Sequence, residues 1–227
     1  MRRLAGAGAV LAAHGPALPQ PDQLCGPFAA WVALHALLNE PPSVTDLAVA
    51  SGTTIWPHDV PEWRPAGAPL DRTGWDRLAT SVTIDAGGTD AGGLAGGLAA
   101  LCPEVTVVPA GGPGDAAALL SALVALARPI GVVANLRTGA VAPEGVIWDA
   151  GHFVVLWGTD GDQVALADTY AELGTEGFPP GCRLVPGAAL DVACAERGLL
   201  VLVDPGEAAA VRTLVAAAGF DDRLWNT

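Results

Sequence analysis

The 227-residue sequence contains no lysine: all eleven basic residues are arginines, set against 24 acidic ones, for a formal net charge of −13. A chain with that balance and no basic run lacks the phosphate-neutralising footprint of a nucleic-acid binder, which excludes nucleic acid as a partner. Cysteine is sparse as well. Cys25, Cys102, Cys182 and Cys194 form no CxxC pair and no Cys/His ligand spacing, so no metal site is expected and the four read as reduced thiols. Without lysine there is no phosphate-binding GxxxxGK[ST] loop, and the glycines of 92–97 follow no strand as a dinucleotide fingerprint requires. Those glycines suit close helix packing, and no cofactor is implied. No apolar run reaches the roughly 20 residues that a membrane span needs. The segment 1–13 has two arginines and a short apolar stretch, but it is Gly-rich and reads as a first helix or arm rather than a signal peptide. A cytoplasmic protein without a membrane contact is the expectation.

What is present fits one large catalytic-size domain over 1–227. Periodicity, caps and turn residues predict helices over 25–38, 43–51, 73–79, 89–102, 115–128, 188–195 and 207–218, the fourth starting from a Thr89 cap. Strands are predicted over 105–109, 130–135, 152–157, 164–167 and 199–203. The stretch 53–65, rich in Pro and Trp, has neither period and is read as a loop that lines a cleft or is pinned to the core. Helices come first and hairpin-linked strands later. That order is α+β, with N-terminal helices packed on a mainly antiparallel sheet.

The segment 19–38 is a polar, proline-punctuated loop that ends at Cys25 and runs into a helix apolar nearly all round, with Gly26 and Pro27 in its first turn. A thiol at that place faces the positive end of the helix dipole and N–H groups without intrahelical acceptors, the setting of a nucleophilic cysteine. Small buried hydrophobe is the alternative role for such a residue. A nucleophile needs a base in reach and a third group to orient it. His152 opens one strand, and Asp168 ends the next after the turn 159–163, so antiparallel pairing brings them side by side. Gln20 supplies an amide for a developing oxyanion, together with the Cys25 N–H. Asp204, at the end of the last strand, is an alternative orienter, Gln23 an alternative donor and His58 a rival base. His35 lies ten residues beyond Cys25, about 15 Å along the helix, and cannot serve.

Gln20, the Cys25-Gly-Pro helix start, Gly151-His-Phe-Val-Val155, a Gly-containing hairpin and a strand ending in Asp168 together resemble the papain-like cysteine hydrolases, most closely their peptidase C39-like branch. The resemblance covers about 19–38 and 151–170. It implies a papain-like fold with Cys25 as nucleophile, His152 as base, Asp168 as orienter and Gln20 as oxyanion donor. In size, acidity and apolar character the chain also resembles the Cys-His-Asp Dieckmann cyclases of tetramate and pyridone biosynthesis. That likeness implies a β-ketoacyl-aminoacyl chain passed from a carrier-protein thioester to Cys25 and closed into a ring by its own carbanion. Ring closure asks for a dry pocket, and Phe28, Trp31, Trp56 and Trp148 are the candidate walls, with core packing as their other role. A C39-like peptidase or thioesterase, with an open groove, is the alternative enzyme, and a non-catalytic binding scaffold is the third reading.

Overall fold

A computed structural model describes residues 1–225 of the chain. In chain order the elements are β1 (Arg2–Arg3), α1 (Ala7–His14), α2 (Cys25–Leu34), α3 (Val44–Ala50), β2 (Thr54–Ile55), β3 (Ala79–Thr80), α4 (Ala91–Leu101), β4 (Thr106–Gly111), α5 (Ala116–Leu126), β5 (Gly131–Arg137), β6 (Gly151–Asp160), β7 (Gln163–Ala167), β8 (Cys182–Pro186), α6 (Gly187–Cys194), β9 (Gly198–Val203) and α7 (Ala208–Ala217). Mixed helix and antiparallel sheet make this an α+β fold.

One seven-stranded sheet runs in the order β4-β9-β5-β6-β7-β8, with β1 paired to β6 beside that path. Every pairing in it is antiparallel. The central strands β5, β6 and β9 are buried at nearly every position, because both faces of the sheet are covered. Helix α2 packs on β5 and β6, α5 on β6 and β7, and α7 on β4. Strands buried on two faces read as continuous apolar runs such as Leu199-Leu-Val-Leu-Val203 rather than as an alternation. Helix α2 lies so close to β5 that a Cβ on Gly131 would stand 2.5 Å from the Ala33 carbonyl oxygen, which explains a glycine there.

Four element assignments change. The expected helix over 73–79 is one 3₁₀ turn, Trp75–Arg77, followed by β3. The Asp71 carboxylate accepts from both the N–H and the hydroxyl of Thr73, and Gly74 takes φ 83°, so the backbone turns instead of propagating a helix. Helix α4 is capped by Asp90, whose carboxylate accepts from Gly93 N at 2.6 Å, while the Thr89 hydroxyl bonds that of Thr53. Helix α2 stops at Leu34, short of residue 38. Strand β8, five residues between Gly/Pro-rich segments, was not expected at all and pairs with β7. The N-terminal segment contributes both an arm, β1, and a helix, α1. Among the described residues no helix is long and apolar enough to cross a membrane.

Candidate active site

Cys25 is the first residue of α2, whose opening hydrogen bond runs from Phe28 N to Leu24 O at 2.9 Å. The first-turn N–H groups therefore point out of the helix toward whatever lies at its mouth. Cys25 is half-buried and opens onto a cleft of about 760 Å³. The other three cysteines are buried. Burial, aided by nearby acids, pushes the Cys102 thiol up and takes those of Cys182 and Cys194 up to about 12.

His152 is the second residue of β6, and Asp168 follows directly after β7. The antiparallel ladder and a bulge at Trp157 set their registry. The His152 Nε2–H donates to Asp168 Oδ1 at 3.0 Å, and the Thr169 hydroxyl oxygen lies 3.2 Å from the same nitrogen. That leaves Nδ1 open toward the cleft, which His152 lines together with Cys25. Burial pushes the imidazole toward its neutral form. The Asp168 charge and hydrogen bond, helped by Cys25, outweigh it and raise His152 to about 9. Burial works against ionisation of Asp168 too, yet His152, Arg183 and the Thr169 N–H together hold its carboxyl below the usual range.

Three further groups hold this pair. Arg183, on β8 beside β7, places Nη1 3.0 Å from Asp168 Oδ2 and donates to the carbonyls of Leu173 and Val141. The His14 Nε2–H donates to the Asp168 carbonyl at 2.6 Å. Trp148 packs its ring edge on His152, with centroids 4.7 Å apart, and also meets Tyr170. The sequence reading missed Arg183 and His14. The available signal for the first was a lone arginine in an apolar strand, since a buried guanidinium requires a carboxylate.

Gln20 lines the cleft with Cys25 and His152, and its backbone N–H donates to the Thr169 carbonyl at 3.0 Å. Gln23 is committed elsewhere: its side-chain amide donates to the Trp56 carbonyl and accepts from the Trp56 N–H. Asp204 caps the turn after β9 through Gly206 N and is exposed, so the carboxylate at His152 is Asp168. His58 is exposed and packs edge-on against Trp56, as His35 does against Trp31.

The expected aromatic walls are not the walls of the cleft. Phe28 is buried in the core because α2 is covered nearly all round. Trp31 packs beside it, Trp56 lies against His58, and Trp148 is buried behind His152. The cleft instead presents Trp63, Ile84 and Phe153 among charged side chains that include Glu62, Asp85 and Arg137. It is polar rather than dry.

The fold is similar to that of a solved structure. The crystal structure of a candidate C39-like peptidase from Bacillus anthracis superposes with a TM-score of 0.54 at 15% identity, over 90% of this chain and 98% of that one. At that identity the likeness describes the fold. No curated protein matches the sequence. A family model does, over residues 4–226, and the chain belongs to that family, DUF6885, a family of unknown function.

Proposed function

We propose that the protein is a cysteine hydrolase that cleaves an acyl bond through an acyl-enzyme on Cys25. The observation that carries this reading is His152 bonded to the carboxylate of Asp168 and lining, together with Cys25, a cleft open to a ligand. In the first half-reaction the Cys25 sulfur attacks the acyl carbon, and His152 gives its proton to the leaving amine or thiol. The transient oxyanion accepts from the Gln20 side-chain amide and the Cys25 N–H. Water then attacks the acyl-enzyme and passes a proton to His152, and the thiolate leaves with the free acid formed.

Ring closure is the same chemistry with a different second nucleophile. In an off-loading Dieckmann cyclase a β-ketoacyl-aminoacyl chain, delivered by a carrier protein, would be captured by its own carbanion to give a tetramate or pyridone. That outcome needs water kept out, and charged groups at the cleft favour water. Product mass separates the two. Incubation with acylated peptides and with a β-ketoacyl-aminoacyl thioester is expected to yield free acid. A product that has lost the thiol and gained no water would reassign the enzyme to chain release, and two untouched substrates would remove the catalytic reading.

The pH dependence follows from the imidazolium. Its folded value of about 9 is raised above the ordinary 6.5. The stability it contributes is therefore complete below about 6.5 and lost as pH rises through about 9. The leaving group also requires the proton, so kcat/KM is expected to fall along a limb centred near pH 9. In Asp168→Asn the raising charge is gone while burial remains, and the limb moves to lower pH. A limb that stays near 9 in that variant would show that Asp168 does not set it.

A further inference from the structure

The cleft contains a cation that this chemistry does not use. Arg197 stands in the turn between α6 and β9, half-buried, and lines the cleft together with Cys25. Its Nη1 donates to Asn135 Oδ1 at 2.8 Å, and Asn135 is only 1% exposed. A Cβ at residue 151 would lie 2.9 Å from Arg197 Nη2 and 3.1 Å from Nη1, so Gly151 is the residue that leaves the guanidinium room beside β6. Its neighbour Arg137 is already paired, Nε and Nη2 donating to the two oxygens of Asp149 at 3.1 and 2.8 Å. Among the described residues no carboxylate lies within ion-pair range of Arg197; its side-chain partner is a neutral amide. Burial and the Arg137 charge both disfavour its protonated form, and Cys25, Cys194 and Glu196 favour it. A positioned guanidinium without an ion-pair partner, on the same cleft as the nucleophile, is a place for an anion. The acids that line the cleft, Glu62, Asp85 and Asp90 before α4 and the Arg137-paired Asp149, repel that anion from the rest of it.

We propose that Arg197 binds a carboxylate of the substrate, so that the acyl compound cleaved carries a carboxylate near the bond broken at Cys25. This deepens the hydrolase reading and rests on it for the word substrate. The carboxylate belongs to a peptide C-terminus or to an acidic side chain, both of which offer two coplanar oxygens to the guanidinium fork.

Protection of Cys25 against iodoacetamide tests the site without any turnover. The reagent forms a thioether with release of iodide, and the other three thiols are buried. Acetyl-dialanine is compared with its C-terminal amide, and acetyl-aspartyl-alaninamide with its asparaginyl counterpart. The carboxylate member of at least one pair is expected to protect at about tenfold lower concentration than its neutral partner, the worth of a charge-assisted hydrogen bond. Which pair discriminates identifies the source of the carboxylate. Arg197→Gln is expected to abolish the difference, and Gly151→Ala, which crowds the guanidinium from the other side, to diminish it if the first variant does not fold. Equal protection by both members of both pairs, or a preference that survives in these variants, overturns the proposal. A preference without product in the turnover assays would instead retain the carboxylate seat and overturn the hydrolase.

Discussion

Cys25→Ala is expected to lower the rate of acid formation by roughly a millionfold, to the level of binding and oxyanion stabilisation alone. The size of the effect follows from the geometry. His152 is raised to about 9 partly by the thiol itself, so removing sulfur takes away the attacking atom and one of the groups that keeps the imidazole protonated. His152→Ala is expected to cost about as much, and the double variant hardly more, because members of such a unit fail together. Asp168→Asn retains more, since a neutral amide can still hold the ring. The measurement is product formed per enzyme by mass spectrometry, with all variants at equal folded concentration. Undiminished acid formation by Cys25→Ala would end the cysteine mechanism.

Arg183→Met is expected to cost about 3–5 kcal/mol of stability, the penalty for leaving one partner of a buried ion pair alone. Three groups lose their donor at once: Asp168 Oδ2 and the carbonyls of Leu173 and Val141. For a chain of this length each kcal/mol lowers Tm by roughly 2–4 °C, so a thermal melt should drop by about 10 °C. The double variant Arg183→Met, Asp168→Asn is expected to lose less than the sum of the two single changes, because both charges leave together. An unchanged melting temperature in the single variant would mean that His152 alone balances the Asp168 charge.

The nucleophile end of this site was legible because it is local. A cysteine before Gly-Pro and an all-round apolar helix states its own position, and β6 and β7 declare a hairpin through two apolar runs and the turn at Gly161. What lies across the fold was not legible. Arg183 sits in a five-residue strand between glycines and prolines, too short for its period to speak, and its partner is fixed only when β8 pairs with β7. His14 reaches Asp168 across 154 residues of sequence, a distance no local pattern spans. The tryptophans misled for a related reason. Composition supplies large apolar side chains, but helix rotation decides that Phe28 turns inward, and Gln23 holds the Trp56 backbone rather than its ring against the site. Trp63, seven residues on, is the tryptophan at the cleft.

The place of β9 in the sheet has a consequence for how the chain is made. The strand lies between β4 and β5, though it follows both in sequence. On the ribosome β4 and β5 emerge first and must wait, each with an unpaired apolar edge, until residues 198–203 arrive to join them. Such long-range pairing slows folding, and an open Val-rich edge during that wait is a template for association with other nascent chains. Arg197, immediately before β9, reaches Asn135 only after that insertion. The cleft's cation is thus among the last parts of the site to be set, and a chain caught before that moment would have its nucleophile helix formed and its ligand seat still missing.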